Sequence, residues 1–178
     1  MIPVTVMVMT LNEAKRIKAC LDALHAFNEV IVFDSGSRDG TANISAENGA
    51  QIVHFDWNGK YPKKRQRALN NIKTANDWVF FVDADEIVLP DLSREISDLF
   101  EGVPSCAGYF IKGHYMRDGH VMRFGIANNK LALIDKTRMK FPEVDDLDCE
   151  AMGEIEGHYQ PVLRIGHDDN KIGSLKHS

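Results

Sequence analysis

Short apolar runs alternate with helical apolar patterns over residues 1–100. Each run is rich in β-branched and aromatic side chains, which predicts a β-strand. The runs are residues 4–9, 30–33, 51–55 and 78–82. Between the first two runs, Ile17, Leu21 and Leu24 recur at helical spacing and predict a helix. Alternating strands and helices are typical of an α/β fold, with a mostly parallel sheet and helices on both faces.

Polar residues, proline and glycine predict where the helices begin and end. Asn12 is the predicted N-cap of the first helix, and Thr41 caps a short helix that Gly49 ends. Pro62 suits the first turn of a helix that runs to about residue 75. Pro90 opens a further helix in the same way.

Polar clusters follow three of the predicted strands. They are residues 10–13, the turn at 34–40, and residues 83–86. The strand before the last cluster is apolar on both faces, which is typical of a central parallel strand. Because ligands bind outside the carboxyl ends of such strands, we expect the three clusters to meet on one rim.

The second half of the chain has a less regular pattern. Residues 108–111 and 130–134 predict strands of a mixed, irregular segment. Repeats, low-complexity tracts and linkers are absent from the sequence. We therefore expect residues 1–178 to form a single domain, with a first half at 1–100 and a second half at 101–178.

Composition and charge exclude several classes of protein. The 178 residues suffice for one domain, and 44% hydrophobic with 26% charged residues is ordinary for a globular protein. A net charge of −5 gives no support to nucleic-acid binding through a basic field. The three cysteines form no CxxC pair, which favours a reducing, cytoplasmic setting. No apolar run reaches the roughly 20 residues of a membrane span, and the N-terminus lacks a signal peptide's basic region.

Asp83 and Asp85 directly follow the buried strand. Carboxylates there are costly unless they are paired or bind a metal. Mg²⁺ or Mn²⁺ typically takes one or two carboxylates together with substrate oxygens. The alternative is a solvated turn with capping aspartates. Asp34 has two interpretations as well, a contact to a nucleoside or an Asx turn.

A basic run and an acidic tract complete the candidate chemistry. Residues 63–67 carry four cations at the start of a helix, where cations oppose the helix dipole. Either an anionic ligand such as a diphosphate offsets them, or they form a solvated face. The acidic tract at 143–156 offers a general base. Within it, Glu154 and Glu156 would share one face if this part is a strand.

Together these segments resemble the family 2 glycosyltransferases, which have the GT-A fold. The matching segments are Met9-Thr10-Leu11-Asn12-Glu13, residues 34–41 (DSGSRDGT), Arg67, and Val82-Asp83-Ala84-Asp85-Glu86. Their order and spacing fit the family, and the resemblance covers roughly the first 100 residues. The phrase DSGS followed by DGT looks most like the lipopolysaccharide-core glucosyltransferase branch.

The resemblance implies a role for each matching residue. The segment Thr10, Leu11, Asn12 and Glu13 would line the nucleoside pocket, and Asp34 would contact the base, usually uracil. Arg67 and Lys64 would face the diphosphate. Asp85 would hold Mn²⁺ or Mg²⁺, with Asp83 beside it, nearer the ribose or sugar. Residues 1–100 would then be the nucleotide-sugar-binding half and 101–178 the acceptor-side half.

The resemblance also implies a reaction. A base deprotonates an acceptor hydroxyl, which attacks the anomeric carbon of a nucleotide-sugar in line and inverts it. The candidate bases are Glu154, Glu156, Asp145 and Asp146. The acceptor would be a saccharide or a lipid-linked saccharide, with peripheral contact at the inner face of the membrane. The chain is short for this fold, and we expect a C-terminally truncated form.

Two alternatives compete with this interpretation. Residues 79–87 resemble the strand end of haloacid-dehalogenase-like phosphatases, with Asp83 as nucleophile and Asp85 as acid/base. That motif usually follows the first strand of its domain, and it leaves the Asp34 turn unexplained. The other alternative is a non-catalytic domain that binds a nucleotide-sugar.

Overall fold

The structure is a computed structural model. It describes residues 1–117, 120–122, 128–144, 146–147, 153–154, 156, 159–167 and 170–177. The helices are α1 (Ile17–Asp22), α2 (Thr41–Glu47), α3 (Lys64–Asn71) and α4 (Pro90–Leu99). The strands are β1 (Ile2–Thr10), β2 (Phe27–Asp34), β3 (Gln51–His54), β4 (Trp78–Asp83), β5 (Cys106–Gly113), β6 (Met116–Arg117), β7 (His120–Val121), β8 (Asn128–Asp135), β9 (Met139–Lys140), β10 (Val162–Leu163) and β11 (Lys171–Ser174).

Seven strands form one sheet in the order β11-β5-β8-β4-β1-β2-β3. The strands β3, β2, β1 and β4 run parallel, as the alternation of strands and helices predicts. Strand β8 runs antiparallel between β4 and β5, while β11 is parallel to β5. The predicted fold class, a mostly parallel sheet with a mixed C-terminal part, is confirmed.

Strand alternation builds one apolar core on each face of the sheet. On one face, Val6 and Val8 of β1 pack with α1 and α4, which contribute Ile17 and Ile96. On the other face, the neighbouring residue Met7 packs with side chains of β4 and with Ala68 of α3. Helices therefore cover both faces, and the residues that follow β1, β2 and β4 emerge at one edge.

The structure corrects several predicted helix ends. Asn12 does not cap α1, because the N-cap position is Arg16. The side-chain oxygen of Asn12 accepts the Arg38 N–H instead. Thr41 is the first residue of α2, and Gly40 holds the N-cap position with a left-handed backbone. Helix α3 begins at Lys64, after Pro62, and ends at Asn71 rather than near residue 75. Gly49 after α2 and Pro90 at the start of α4 are as predicted.

Candidate active site

The carboxyl ends of β1, β2 and β4 bring the polar clusters together. Thr10 lies beside Asp34 in the register of β1 and β2, and Met9 lies beside Asp83 in the register of β1 and β4. The Ser35 N–H donates to the Thr10 carbonyl at 3.1 Å, and the Ala84 N–H donates to the Met9 carbonyl at 3.1 Å. The predicted rim is therefore present.

Side chains of the 34–41 turn hold the loop after β1. The Glu13 N–H donates to the Thr41 hydroxyl at 2.8 Å, and the Ala14 N–H donates to the Asp39 carboxylate at 3.0 Å. The hydrogen bonds from Thr41 and from the Ala14 N–H lower the pKa of Asp39. These hydrogen bonds tie the loop after β1 to the 34–41 turn, so the two loops form one unit.

Asp34 is buried and supports its own turn. Its carboxylate accepts the N–H of Gly36 at 3.2 Å and that of Ser37 at 2.9 Å, together with the Ser37 hydroxyl. His54 lies 3.8 Å from the same carboxylate. The structure thus shows the Asx turn that was one of the two interpretations of this residue.

Asp83 lies between two cations. Arg65 contacts one carboxylate oxygen at 3.2 Å, and Lys130 of β8 contacts the other at 2.5 Å. Lys130 also contacts Glu86 at 2.5 Å, and Glu86 accepts the Asp83 N–H. Burial acts to raise the pKa of Asp83, but the charges of Arg65 and Lys130 outweigh it and lower the pKa. This group is called the Asp83 network below.

Asp85 is placed differently from Asp83. Its side chain is 56% exposed, and its ion-pair contact among the described residues is Arg16 at 3.8 Å. Within that part of the chain, no group of three or more His, Cys, Asp or Glu residues is arranged to hold a metal ion. A cation here would therefore take Asp85 together with oxygens of a bound substrate, a ligand set that suits Mg²⁺ or Mn²⁺.

Acidic side chains of the second half pair with the start of α3. Lys63 contacts Asp146 at 2.7 Å, and both residues are buried. Lys64 contacts Glu154 at 3.4 Å and donates to the Thr10 carbonyl at 3.1 Å. The start of the basic run is therefore not a solvated face. Carboxylates of the acidic tract compensate the charges of its two lysines.

Among the described residues, two buried side-chain polar atoms have no hydrogen-bond partner, and both belong to residues at this rim. They are the Thr10 hydroxyl oxygen and Nε of Arg65. Buried polar atoms are almost always hydrogen-bonded in proteins. Both atoms are covered by the protein itself, so they are exceptions to that rule and not open contact points for a ligand.

A cavity of about 480 Å³ opens beside the Asp83 network. Asp83, Asp85 and Lys130 lie along one side of it. Its other walls come from the loop before α4, from strands β5 and β8, and from the loop that follows β5.

The chain that forms this rim matches a known protein family. The sequence model described as "Glycosyl transferase family 2" matches residues 5–156. The chain belongs to this family. It is similar to an uncharacterized glycosyltransferase of Rickettsia felis, with 33% identity over 98 residues, 54% of this chain and 34% of the relative. A TPR repeat-containing protein of Synechococcus elongatus is 32% identical over 97 residues, 54% of this chain and 24% of that protein.

Two solved structures also align with parts of this family 2 chain. Glucosyl-3-phosphoglycerate synthase from Mycobacterium tuberculosis, in complex with Mn²⁺, UDP and glucosyl-3-phosphoglycerate, is 29% identical, with a TM-score of 0.38, over 46% of this chain and 33% of that chain. S. aureus TarS is 27% identical, with a TM-score of 0.39, over 55% and 20%. The chain spans about a quarter to a third of the length of the curated relatives given above.

The family match favours the glycosyltransferase over the phosphatase interpretation of Asp83 and Asp85. It covers all three clusters of the rim, including the Asp34 turn that the phosphatase left unexplained. The lipopolysaccharide-core branch stays a prediction.

Three of the four candidate bases lie among the described residues, and one of them is accessible. Glu154 is 26% exposed, and its carboxylate contacts the Ser35 hydroxyl and Lys64. Glu156 is buried, and its two oxygens accept the N–H groups of Arg65 and Gln66. No strand is found at Glu154 or Glu156, so the face that they were expected to share is absent.

Asp146 is held in the buried ion pair with Lys63. It also accepts the Tyr61 hydroxyl, and the hydrogen bonds from Lys63 and Tyr61 lower its pKa. This placement and that of Glu156 argue against either as a base. Asp145 lies outside the described residues.

Of the two residues predicted to contact the diphosphate, one lies at the rim and the other points elsewhere. Lys64 lies at the rim, whereas the guanidinium of Arg67 lies over the Phe55 ring and donates to Asn58 at 3.0 Å. Arg65, two residues earlier, is the cation that reaches Asp83. Leu11 is exposed beside the rim, and Asn12 has a left-handed backbone with φ of 56°.

Sequence reasoning missed three polar residues of the site. Arg65 belonged to the recognised basic run, but helical spacing alone did not separate it from Arg67. Ser35 stood inside the recognised turn. Lys130 carried no signal of its own, because a lysine at the start of a strand is ordinarily a solvated residue.

Proposed function

We propose that this chain is the donor-binding and catalytic part of a metal-dependent, inverting glycosyltransferase. It would transfer a sugar from a nucleotide-sugar, with UDP as the favoured nucleotide, to a saccharide or lipid-linked saccharide. The observation that carries the proposal is the meeting of residues 10–13, the Asp34 turn and the Asp83 network on one rim of a family 2 chain.

The nucleoside would lie against the loop after β1 and the Asp34 turn. Thr10 lies next to Asp34 in the strand register, and Asp34 keeps the turn in shape through its carboxylate. Arg65 would supply positive charge next to the diphosphate, with the buried Lys64, which is paired with Glu154, behind it. Asp85 would hold Mn²⁺ or Mg²⁺, and such an ion supplies charge stabilisation for a departing diphosphate.

Glu154 is the proposed general base. A base must carry an accessible acceptor oxygen near the reacting hydroxyl, and Glu154 meets the first requirement better than Glu156 or Asp146. It would take the proton of the acceptor hydroxyl as that oxygen attacks the anomeric carbon. The bond from that carbon to the diphosphate then breaks on the opposite side, which gives inversion.

Thermal unfolding with UDP, GDP, CDP and TDP, each with and without Mn²⁺, tests the donor site. A ligand at about 100 times its Kd stabilises a protein by about 2.7 kcal/mol, a readily measured rise in midpoint. We expect UDP with Mn²⁺ to give the largest rise. Asp85→Asn should remove the Mn²⁺-dependent part, while Asp98→Asn, an exposed change in α4, should not.

The outcomes separate the alternatives. Unchanged nucleotide and Mn²⁺ responses in Asp85→Asn would refute the metal assignment. A response in the wild type without hydrolysis or transfer of any UDP-sugar would indicate a binding domain rather than an enzyme. If none of the four nucleotides raises the midpoint, the donor site itself is refuted.

A further inference from the structure

The cavity beside the Asp83 network has an apolar interior. Leu92 of α4, Ile111 of β5 and Ala132 of β8 line it, and each is less than a tenth exposed. Its volume of about 480 Å³ falls in the range of about 300–1,000 Å³ that is usual for small-molecule sites. A sugar ring offers these walls only its C–H faces and carries hydroxyl groups around its edge, so it would cover less of the apolar surface than an alkyl chain.

Large apolar side chains are also exposed around the same cavity. Ile87 and Leu89, in the loop before α4, are each 44% exposed, and Tyr115 and Met116 after β5 are 60% and 57% exposed. All four line the cavity. Clustered exposed apolar residues next to a pocket are typical of a binding site, whereas single ones are ordinary.

The cavity is continuous with the proposed reaction centre. Asp83, Asp85 and Lys130 form part of its wall, so one molecule can lie in the cavity and present a polar end to the donor. Lys130 is held there by Asp83 and Glu86. Further polar residues of the lining are Lys112, His114 and Asn128.

We propose that this cavity is an acceptor subsite that binds an alkyl chain next to the hydroxyl that receives the sugar. The acceptor would then be an amphiphile, with its polar end at Asp85 and its chain between Leu92, Ile111 and Tyr115. This inference rests on the proposed function, and it selects a lipid-linked acceptor over a free saccharide. The aliphatic character of the walls favours an alkyl chain over a polar glycan.

Two probes with the same head group test the chain directly. Octyl β-glucoside and methyl β-glucoside are titrated, below the micellar concentration, into methyl-labelled protein, and Kd is read from the NMR shifts of the Ile111 and Leu92 methyl groups. We expect the octyl probe to bind at least tenfold more tightly, the gain from burying about two methylene groups. Equal affinities, or shifts that avoid these methyl groups, would overturn the proposal.

Paired variants locate the binding. Leu89→Ser and Tyr115→Ser change exposed cavity residues, and Val103→Ser changes an apolar residue that is 95% exposed outside the cavity. The first two should weaken octyl binding at least fivefold and the third should not. If all three variants leave the affinity for octyl β-glucoside unchanged, the alkyl chain binds elsewhere and the proposal fails. Circular dichroism verifies that each variant is folded.

Two further measurements distinguish the alkyl subsite from the donor site and from binding to a membrane surface. The UDP and Mn²⁺ response is measured on the same variants, so loss of the donor site and loss of the alkyl subsite are read independently. Neutral phosphatidylcholine vesicles are the second arm. Vesicle binding that depends on Leu89 and Tyr115, without an octyl preference, would mean that these residues contact a membrane surface, which overturns the subsite.

Discussion

At the scale of single residues, the site depends on buried charges. Lys63 and Lys64 are almost fully buried, and burial of an ammonium group is costly unless a carboxylate and hydrogen bonds compensate it. Asp146 and Glu154 provide the carboxylates. Removing one member of such a pair leaves the other charge buried, so these lysines are expected to control both stability and the shape of the rim.

Lys64→Met should change how stability depends on pH. Burial lowers the pKa of Lys64 below its ordinary 10.5, even though Glu154 acts in the opposite direction. Between that lowered pKa and 10.5 the unfolded chain binds more protons than the folded one, so stability from this group rises with pH. The free energy of unfolding, measured in urea at several pH values, should therefore favour the wild type increasingly as pH approaches 10.5.

Lys18→Met is the matched control, because Lys18 is exposed and pairs with Asp22 within α1. It should leave the pH dependence in that range unchanged. A difference between wild type and Lys64→Met that stays constant with pH would contradict the prediction.

Lys130→Met should raise the pKa of Asp83. Burial alone would raise that pKa, and Lys130 is one of the two cations that lower it. Carbon NMR titration of the Asp83 carboxyl measures the change directly, and Lys130→Arg should restore much of the low pKa. The wild type's advantage in stability should be fully present above about pH 3.8 and disappear as pH falls through the lower, folded pKa.

Lys112→Met, on the neighbouring strand β5, gives the comparison for removal of one positive charge. An equal rise of the Asp83 pKa in that variant would mean that net charge, rather than contact with Lys130, sets the value.

At the scale of elements, the start of α3 is stabilised by a distant residue. Glu156 accepts the N–H groups of Arg65 and Gln66 at 3.0 and 2.8 Å, and the Lys64 N–H donates to the Glu154 carbonyl at 2.7 Å. The side chain of Lys63, which holds the N-cap position, makes no such hydrogen bond. The first turn of α3, which carries Lys64 and Arg65, is therefore positioned by the second half of the chain.

Glu156→Ala should destabilise the protein by about 1–3 kcal/mol, because it leaves two buried N–H donors without acceptors. Urea unfolding measures the loss, and amide exchange at Arg65 and Gln66 should accelerate. Glu143→Ala, an exposed change in the same acidic tract, should stay within about 0.5 kcal/mol. Equal effects of the two variants would show that the cap contributes nothing.

At the scale of the whole molecule, the sequence predicted the parallel half well because periodicity carries that information locally. The strands at 4–9 and 78–82 and the rim that they build follow from apolar patterning and chain order alone. The pairing of Lys63 and Lys64 with Asp146 and Glu154 could not be predicted, since it joins residues 83 and 90 positions apart. Strand β11 was missed as well, because Lys171–Ser174 has little apolar pattern.

The packing of β11 against β5 completes the sheet and gives the last prediction. A Cβ atom added to Gly173 would lie 2.7 Å from two carbons of the Tyr109 ring, and Tyr109 also belongs to the core between the sheet and α4. Gly173→Ala should therefore cost about 1–3 kcal/mol through overpacking. Gly102→Ala is the control, because nothing lies within 4 Å of its added Cβ. Urea unfolding of both variants decides it: if Gly173→Ala is as stable as Gly102→Ala, β11 does not pack on Tyr109 as the structure has it.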